Sequence, residues 1–345
     1  MSWRHRCGIG IGGGARPGGA DAHPRPHPRA LAIALLAGAA CGGAGGGDGG
    51  DGGSGDGGGT PGGGIAAMYP GDVGIAGDPR VLFADDFESY ASAAELTRTW
   101  DAVYHQVRIA TEPANVHAGG RAVEFTAPQQ TAELSNTIAR VLTGDLDVLY
   151  LRYYSRYEDT FDVTGSSHNG AEISAGYYVN GNASPGVPAD GSNKYLIAYE
   201  HWRGEAATPS PGELNIYIYH PGQRSNYGDH FFPDGRVLPN SSIPGDFGPE
   251  FEPRPDVIPE LGRWYAYEVM LRANTPGQRD GRITCWIDGE VVADFPGLRL
   301  RDVDTLTIDH VSLSLHTGSN PSRATRKWYD DVVAATAYIG PMVPP

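Results

Sequence analysis

From Val81 onward, the only stretch that keeps a 3.6-residue apolar period is 91–99, and that limit decides most of what the chain can fold into. In place of helices there are short β-rich runs at 122–125, 148–157, 195–201, 214–220, 264–272, 283–287 and 311–315. Clusters of Gly, Pro, Asn and Asp separate them, and Asp280-Gly281 and Asp288-Gly289 bracket one run with tight-turn signals. A chain punctuated in this way is expected to be all-β, an antiparallel β-sandwich or jelly roll.

Two-residue alternation separates the faces of these runs. In Glu213-Leu214-Asn215-Ile216-Tyr217-Ile218-Tyr219, the aliphatic row should pack between sheets, which leaves Asn215, Tyr217 and Tyr219 on the opposite face. The same rule puts Val148, Tyr150, Arg152, Tyr154 and Arg156 on one face, where alternating Tyr and Arg would suit sugar stacking and carboxylate pairing. Cys285 is the one cysteine of the domain, so no disulfide can brace it, and its apolar neighbours suggest a buried, inert thiol.

The segment before the domain reads differently. Residues 30–40, ALAIALLAGAA, are too short and too small to span a bilayer, and Arg25 and Arg29 precede them. This resembles a signal peptide (1–40) ending in the lipobox of bacterial lipoproteins, with Cys41 as the lipid attachment site; Gly38 stands where that motif favours Leu. Residues 42–64 contain 16 Gly and nothing larger than Thr, Asp or Pro, so they cannot offset their own ordering entropy. The expected organisation is a lipid-bearing flexible linker over 41–78, whose Gly-rich residues 42–64 would give a reach on the order of 25 Å, and a folded domain over 79–345. The chain would then be exported and held at the outer membrane or cell surface by lipid alone, as a monomer. A formal net charge of −15, carried despite an arginine-rich leader, argues against nucleic acid as a partner.

Phe83-Ala84-Asp85-Asp86-Phe87-Glu88 resembles the opening strand of concanavalin A-like jelly rolls. Gly262-Arg263-Trp264-Tyr265, Asn274-Thr275-Pro276-Gly277, Trp286-Ile287-Asp288-Gly289 and Gly297-Leu298-Arg299-Leu300-Arg301 are similar to the C-terminal half of polysaccharide lyases of the alginate and glucuronan lyase type. Trp328-Tyr329-Asp330-Asp331-Val332 and Tyr338-Ile339-Gly340-Pro341 fit the same pattern. The resemblance implies β-elimination of an acidic, uronate-containing polysaccharide, or binding to one. It also implies a catalytic tyrosine within Tyr217-Ile218-Tyr219. The lysine of the family pattern aligns on Glu172, which replaces a cation with an anion, and His168 is the nearest substitute.

Elimination needs a base for the proton beside the carboxylate, an acid for the leaving oxygen and a cation to neutralise the carboxylate. The candidates are Tyr217, Tyr219 and His168 for proton transfer, with a nearby cation lowering the tyrosine pKa, and Lys194 or Arg203 as the clamp. Glu172, Glu200 and Asn215 would bind substrate. Two other readings stay open: a non-catalytic carbohydrate-binding jelly roll, and a glycoside hydrolase using Glu172 and Glu200. His201, His220 and His230 are too scattered for a zinc site. No cofactor is required, although Asp85, Asp86, Asp330 and Asp331 could cage a structural calcium if the first and last strands are neighbours.

Overall fold

The structure is a computed structural model that describes residues 63–129, 132–165, 167–239, 247–318 and 321–345. The signal peptide, Cys41 and most of the Gly-rich segment lie outside the described residues. Two antiparallel sheets face each other. One runs in the order Glu290–Leu298, Gly281–Ile287, Tyr265–Arg272, Val148–Tyr157, Thr325–Ala335, Ala122–Ala127 and Val107–Ala110, with Val81–Asp85 also paired to Thr325–Ala335. The other runs Val237–Leu238, Asp229–Phe231, Glu213–Tyr219, Tyr195–Trp202, Ala171–Ala175, Ile308–Thr317, Leu134–Leu146 and Ala102–Tyr104, with the short Ser167–His168 on the edge of Ile308–Thr317. The 91–99 stretch forms a 3-10 helix over Ala93–Arg98.

Between the sheets lies an apolar layer that includes Ile173, Ile197, Ile216 and Ile218 from one side and Leu149, Leu151, Val269 and Ile283 from the other. Cys285 belongs to this layer and is fully buried, which pushes its thiol well up. The Gly281–Ile287 and Glu290–Leu298 hairpin turns on Asp288 and Gly289, both at positive φ, as a two-residue type I′ turn demands.

Two expectations change here. Residues 64–78 belong to the folded unit and not to the linker. Ile65 and Ala66 are fully buried beside Ile339, and the Ile65 N–H donates to Tyr338 O. Ile65→Ala should therefore cost about 2–3 kcal/mol in chemical denaturation, as for other buried aliphatics; an unchanged midpoint would return this segment to the linker. The Arg and Tyr row of Val148–Tyr157 is likewise no sugar platform. It faces outward on the first sheet and is covered: Arg152 is fully buried and paired with Asp72, and Tyr154 stacks on His117 at 3.5 Å.

On that same covered face, the Glu268 carboxylate accepts the Ile339 and Gly340 N–H groups, each at 2.8 Å. Burial pushes its pKa from 4.5 up to about 7, against the stabilising effect of those two donors. The protonated form is favoured in the fold. Its contribution is complete below pH 4.5 and is lost as pH rises towards 7, on the order of 3 kcal/mol. Melting curves of Glu268→Gln should show a flatter pH profile across that window; a profile parallel to the parent's would exclude this carboxyl as the source.

Candidate active site

The outer face of the second sheet gathers the polar residues that alternation turned away from the core. Glu200 on Tyr195–Trp202 pairs across the ladder with Asn215 on Glu213–Tyr219, and Tyr217 pairs with His230 on Asp229–Phe231. On the other side, Glu172 of Ala171–Ala175 lies opposite Ala198 and Ser312, and His168 lies opposite His316. Five adjacent strands and the short Ser167–His168 edge strand thus gather His168, Glu172, Glu200, Asn215, Tyr217, Tyr219, His230, Ser312 and His316 on one face.

His168 is the centre of this cluster. Its Nδ1 contacts both Glu200 carboxylate oxygens at 3.1 and 3.2 Å, its ring lies 4.4 Å from that of Tyr217, and His316 stacks on it at 5.4 Å. Burial alone would lower its pKa, but the Glu200 carboxylate outweighs this and holds the imidazole above its ordinary 6.5. Glu200 is 1% exposed, and burial raises its pKa despite the imidazole. With Nδ1 committed to Glu200, Nε2 is the nitrogen left for chemistry.

Tyr217 complements this arrangement. Its hydroxyl oxygen accepts the Gly228 N–H at 2.9 Å, and its own proton is donated towards the Tyr219 oxygen. Burial raises the pKa values of both Tyr217 and Tyr219. The shift is upward in both even though the Lys194 amine lies 4.4 Å over the Tyr219 ring, so these phenols suit an acid better than a base. Tyr219 lies 5.6 Å from Tyr217 and accepts the Gly186 N–H at 3.3 Å. Asn215 Oδ1 contacts His230 Nδ1 at 2.9 Å, and Trp202 stacks on the same imidazole at 4.9 Å. Burial drives His230 down to about 3 and His316 to about 4, so both are neutral near pH 7.

The His168 segment is clamped from inside the sandwich. Asn169 donates its backbone N–H to the Glu200 carboxylate, and its carbonyl accepts a hydrogen bond from the amine of the buried Lys327. Its side chain takes Tyr157 OH at 2.7 Å and the His201 N–H at 3.1 Å, and donates to His201 O at 2.8 Å. Gly170 follows because Ala171–Ala175 passes against Tyr199 at backbone distance.

Other candidates stand apart from this cluster. Lys194 is 2% exposed; its amine donates to Ser184 O at 2.5 Å and lies over the Tyr219 ring at 4.4 Å. It sits on the Tyr219 side of the same outer face, where Leu196 and Ala198 of the adjoining strand also pack. Arg203 binds Asp162, Thr208 O and Ala206 O, bracing a loop. His201 lies in the core against Tyr157, and His220 pairs with Asp229 at 3.0 Å. The first and last strands are indeed neighbours, but the carboxylates there are occupied by protein donors. Asp85 takes Phe87 N, Tyr90 OH and Trp100 Nε1; Asp86 takes Glu88 N. Asp330 takes His117 N, and Asp331 faces His117 Nδ1 at 2.7 Å. Among the described residues, no group of three or more His, Cys, Asp or Glu is arranged to hold a metal. A cavity of about 600 Å³ on the first sheet also offers no free cation from Arg108, Arg156 or Arg326, which pair with Glu124, Asp159 and Glu158.

No family model matches the chain, and no curated protein matches it in sequence. Solved structures do. The alginate lyase Aly36B superposes with a TM-score of 0.52 at 20% identity over 76% of this chain and 99% of its own. A marine alginate lyase from Aplysia kurodai gives 0.52 at 12% identity over 74% and 99%. The alginate lyase vAL-1 from Chlorella virus gives 0.50 at 14% over 74% and 100%. The fold is that of the alginate lyases. At these identities the likeness carries the fold alone. On this alginate lyase jelly roll, His230, His316, Ser312 and Trp202 are site residues that sequence reasoning missed. Alternation in Asp229-His230-Phe231 was the available signal for His230.

Proposed function

We propose that the outer face of the second sheet carries out β-elimination on a uronate-containing polysaccharide. The observation that supports this most is the His168–Glu200 pair packed against Tyr217. His168 Nε2 would take the C5 proton, with Glu200 stabilising the imidazolium that forms. As the C4–oxygen bond breaks and the C4–C5 double bond forms, Tyr217 would protonate the leaving sugar oxygen. Trp202, which is partly exposed, would stack on a neighbouring sugar, with Tyr219 and Asn215 packed beneath as its support. The Aly36B alginate lyase, a structural neighbour, has been solved in variant form with an alginate trisaccharide. In this reading the protein is exported and lipid-held through Cys41, which keeps a polysaccharide-active domain near the envelope.

The test is ultraviolet absorbance from unsaturated uronate ends after incubation with alginate, glucuronan and related polymers. Signal in the parent and none in His168→Ala is the expected result. A second reading rests on Glu172, half-buried, and Glu200, buried, two carboxyls on paired strands that could act as a hydrolase pair. New reducing ends without absorbance would favour it over elimination.

A further inference from the structure

We infer that the uronate at the reacting position enters with its carboxyl uncharged, as an ester. The inference rests on elimination as the reaction of this face and adds the chemical class of its substrate. Two carboxyl side chains, Glu172 and Glu200, line the face around His168. Glu172 accepts Ser312 Oγ at 2.6 Å, and Glu200 is matched by His168 and the Asn169 N–H. The other two imidazoles beside His168 are neutral near pH 7.

The cations around the face are turned to other partners. Lys194 is committed to Ser184 O over the Tyr219 ring, Arg203 to Asp162, and Arg140 to Thr99 O and Asp101. Lys327 lies between the sheets, on the Asn169 carbonyl. A free uronate would therefore bring a third carboxyl to a site whose one imidazolium is already matched. Elimination from it would also build a dianion in the transition state, and these four cations are held by other partners.

An ester removes both problems. Its carbonyl makes the C5 proton more acidic without adding charge, and the species formed by proton loss is a monoanion. The balance is simple: His168 gains the C5 proton, the electron pair forms the C4–C5 double bond, and the departing oxygen takes its proton from Tyr217. The ester group is unchanged. Trp202, which is partly exposed, and the Tyr217 ring beside it offer apolar surface to its alkyl group.

The experiment compares one polyuronate with its methyl ester prepared from the same chain, with and without added calcium. It reads both the rate of chain cleavage and retention in affinity electrophoresis. We expect kcat/KM at least tenfold higher on the ester, and a ratio narrowed several-fold in Glu172→Gln, which should gain on the free acid. Equal or faster cleavage of the free polymer in either calcium condition would overturn the inference while leaving elimination intact. Cleavage giving reducing ends without unsaturation would sink the elimination reading, and the ester-to-acid rate ratio would still decide the preference. If neither polymer is cleaved, stronger retention by the ester sustains the inference; equal, reversed or absent retention overturns it.

Discussion

Replacing His168 with alanine should lower kcat/KM for elimination by about 10²–10⁴-fold, the range typical of a lost general base. Tyr217→Phe removes one oxygen and should cost a comparable factor, because the phenol is the group that reaches the leaving oxygen with a proton to give. The pair is separable by pH. His168 must be deprotonated to act, and Glu200 holds its pKa above 6.5. Activity should therefore rise with pH through a midpoint above that value. Glu200→Gln should move the midpoint down, since burial then acts on the imidazole without the opposing carboxylate. Tyr217→Phe should leave this limb where it is and lower its plateau. Steady-state pH profiles of the parent and three variants check these expectations. A midpoint unmoved by Glu200→Gln would remove the carboxylate from any role in tuning His168.

Gly170→Ala should be the most disruptive single methyl in the domain. A Cβ at this position would stand 1.8 Å from Tyr199 O and 3.0 Å from Glu200 Cα. Both belong to the backbone of the neighbouring strand, so no side chain can swing aside. We expect a loss of about 3 kcal/mol or more, seen as a drop in melting temperature on the order of 5–10 °C. Pushing Tyr199 and Glu200 away also breaks the His168–Glu200 geometry, so activity should fall even where the variant is still folded. Gly77, with open space around it, is the control, and Gly77→Ala should be near neutral. Equal melting temperatures for the two variants would show that the strands can separate at Gly170 without cost.

The sheet faces were legible wherever alternation ran unbroken. Glu213–Tyr219 shows this best, with Leu214, Ile216 and Ile218 in the core and Asn215, Tyr217 and Tyr219 outside. Leu134–Leu146 was hidden because Asn136 faces inward; its amide is satisfied by Gln106 N and Thr126 O, both at 2.7 Å, so a polar residue sits where the pattern calls for an apolar one. Thr325–Ala335 was hidden by an irregularity at Asp330 and Asp331 that shifts phase. Lys327 and Tyr329 point into the sandwich before it, and Val332 and Ala334 after it. The site was half legible. Tyr217, Tyr219, Glu172, Glu200, Asn215 and His168 share a face by period alone. The proximity of His230 and His316 depends on cross-strand register, which no local pattern encodes. Arg152 misled because its covering, Asp72, comes from a segment read as linker.

The most direct measurement is the mass of the oligosaccharide ends released by the parent protein from a uronate polymer. Elimination should give new non-reducing ends lighter by one water than hydrolysis would, and their release should stop in His168→Ala and Tyr217→Phe. Ends of full hydrolytic mass, or unsaturated ends released at the parent rate by either variant, would contradict the assignment of this face.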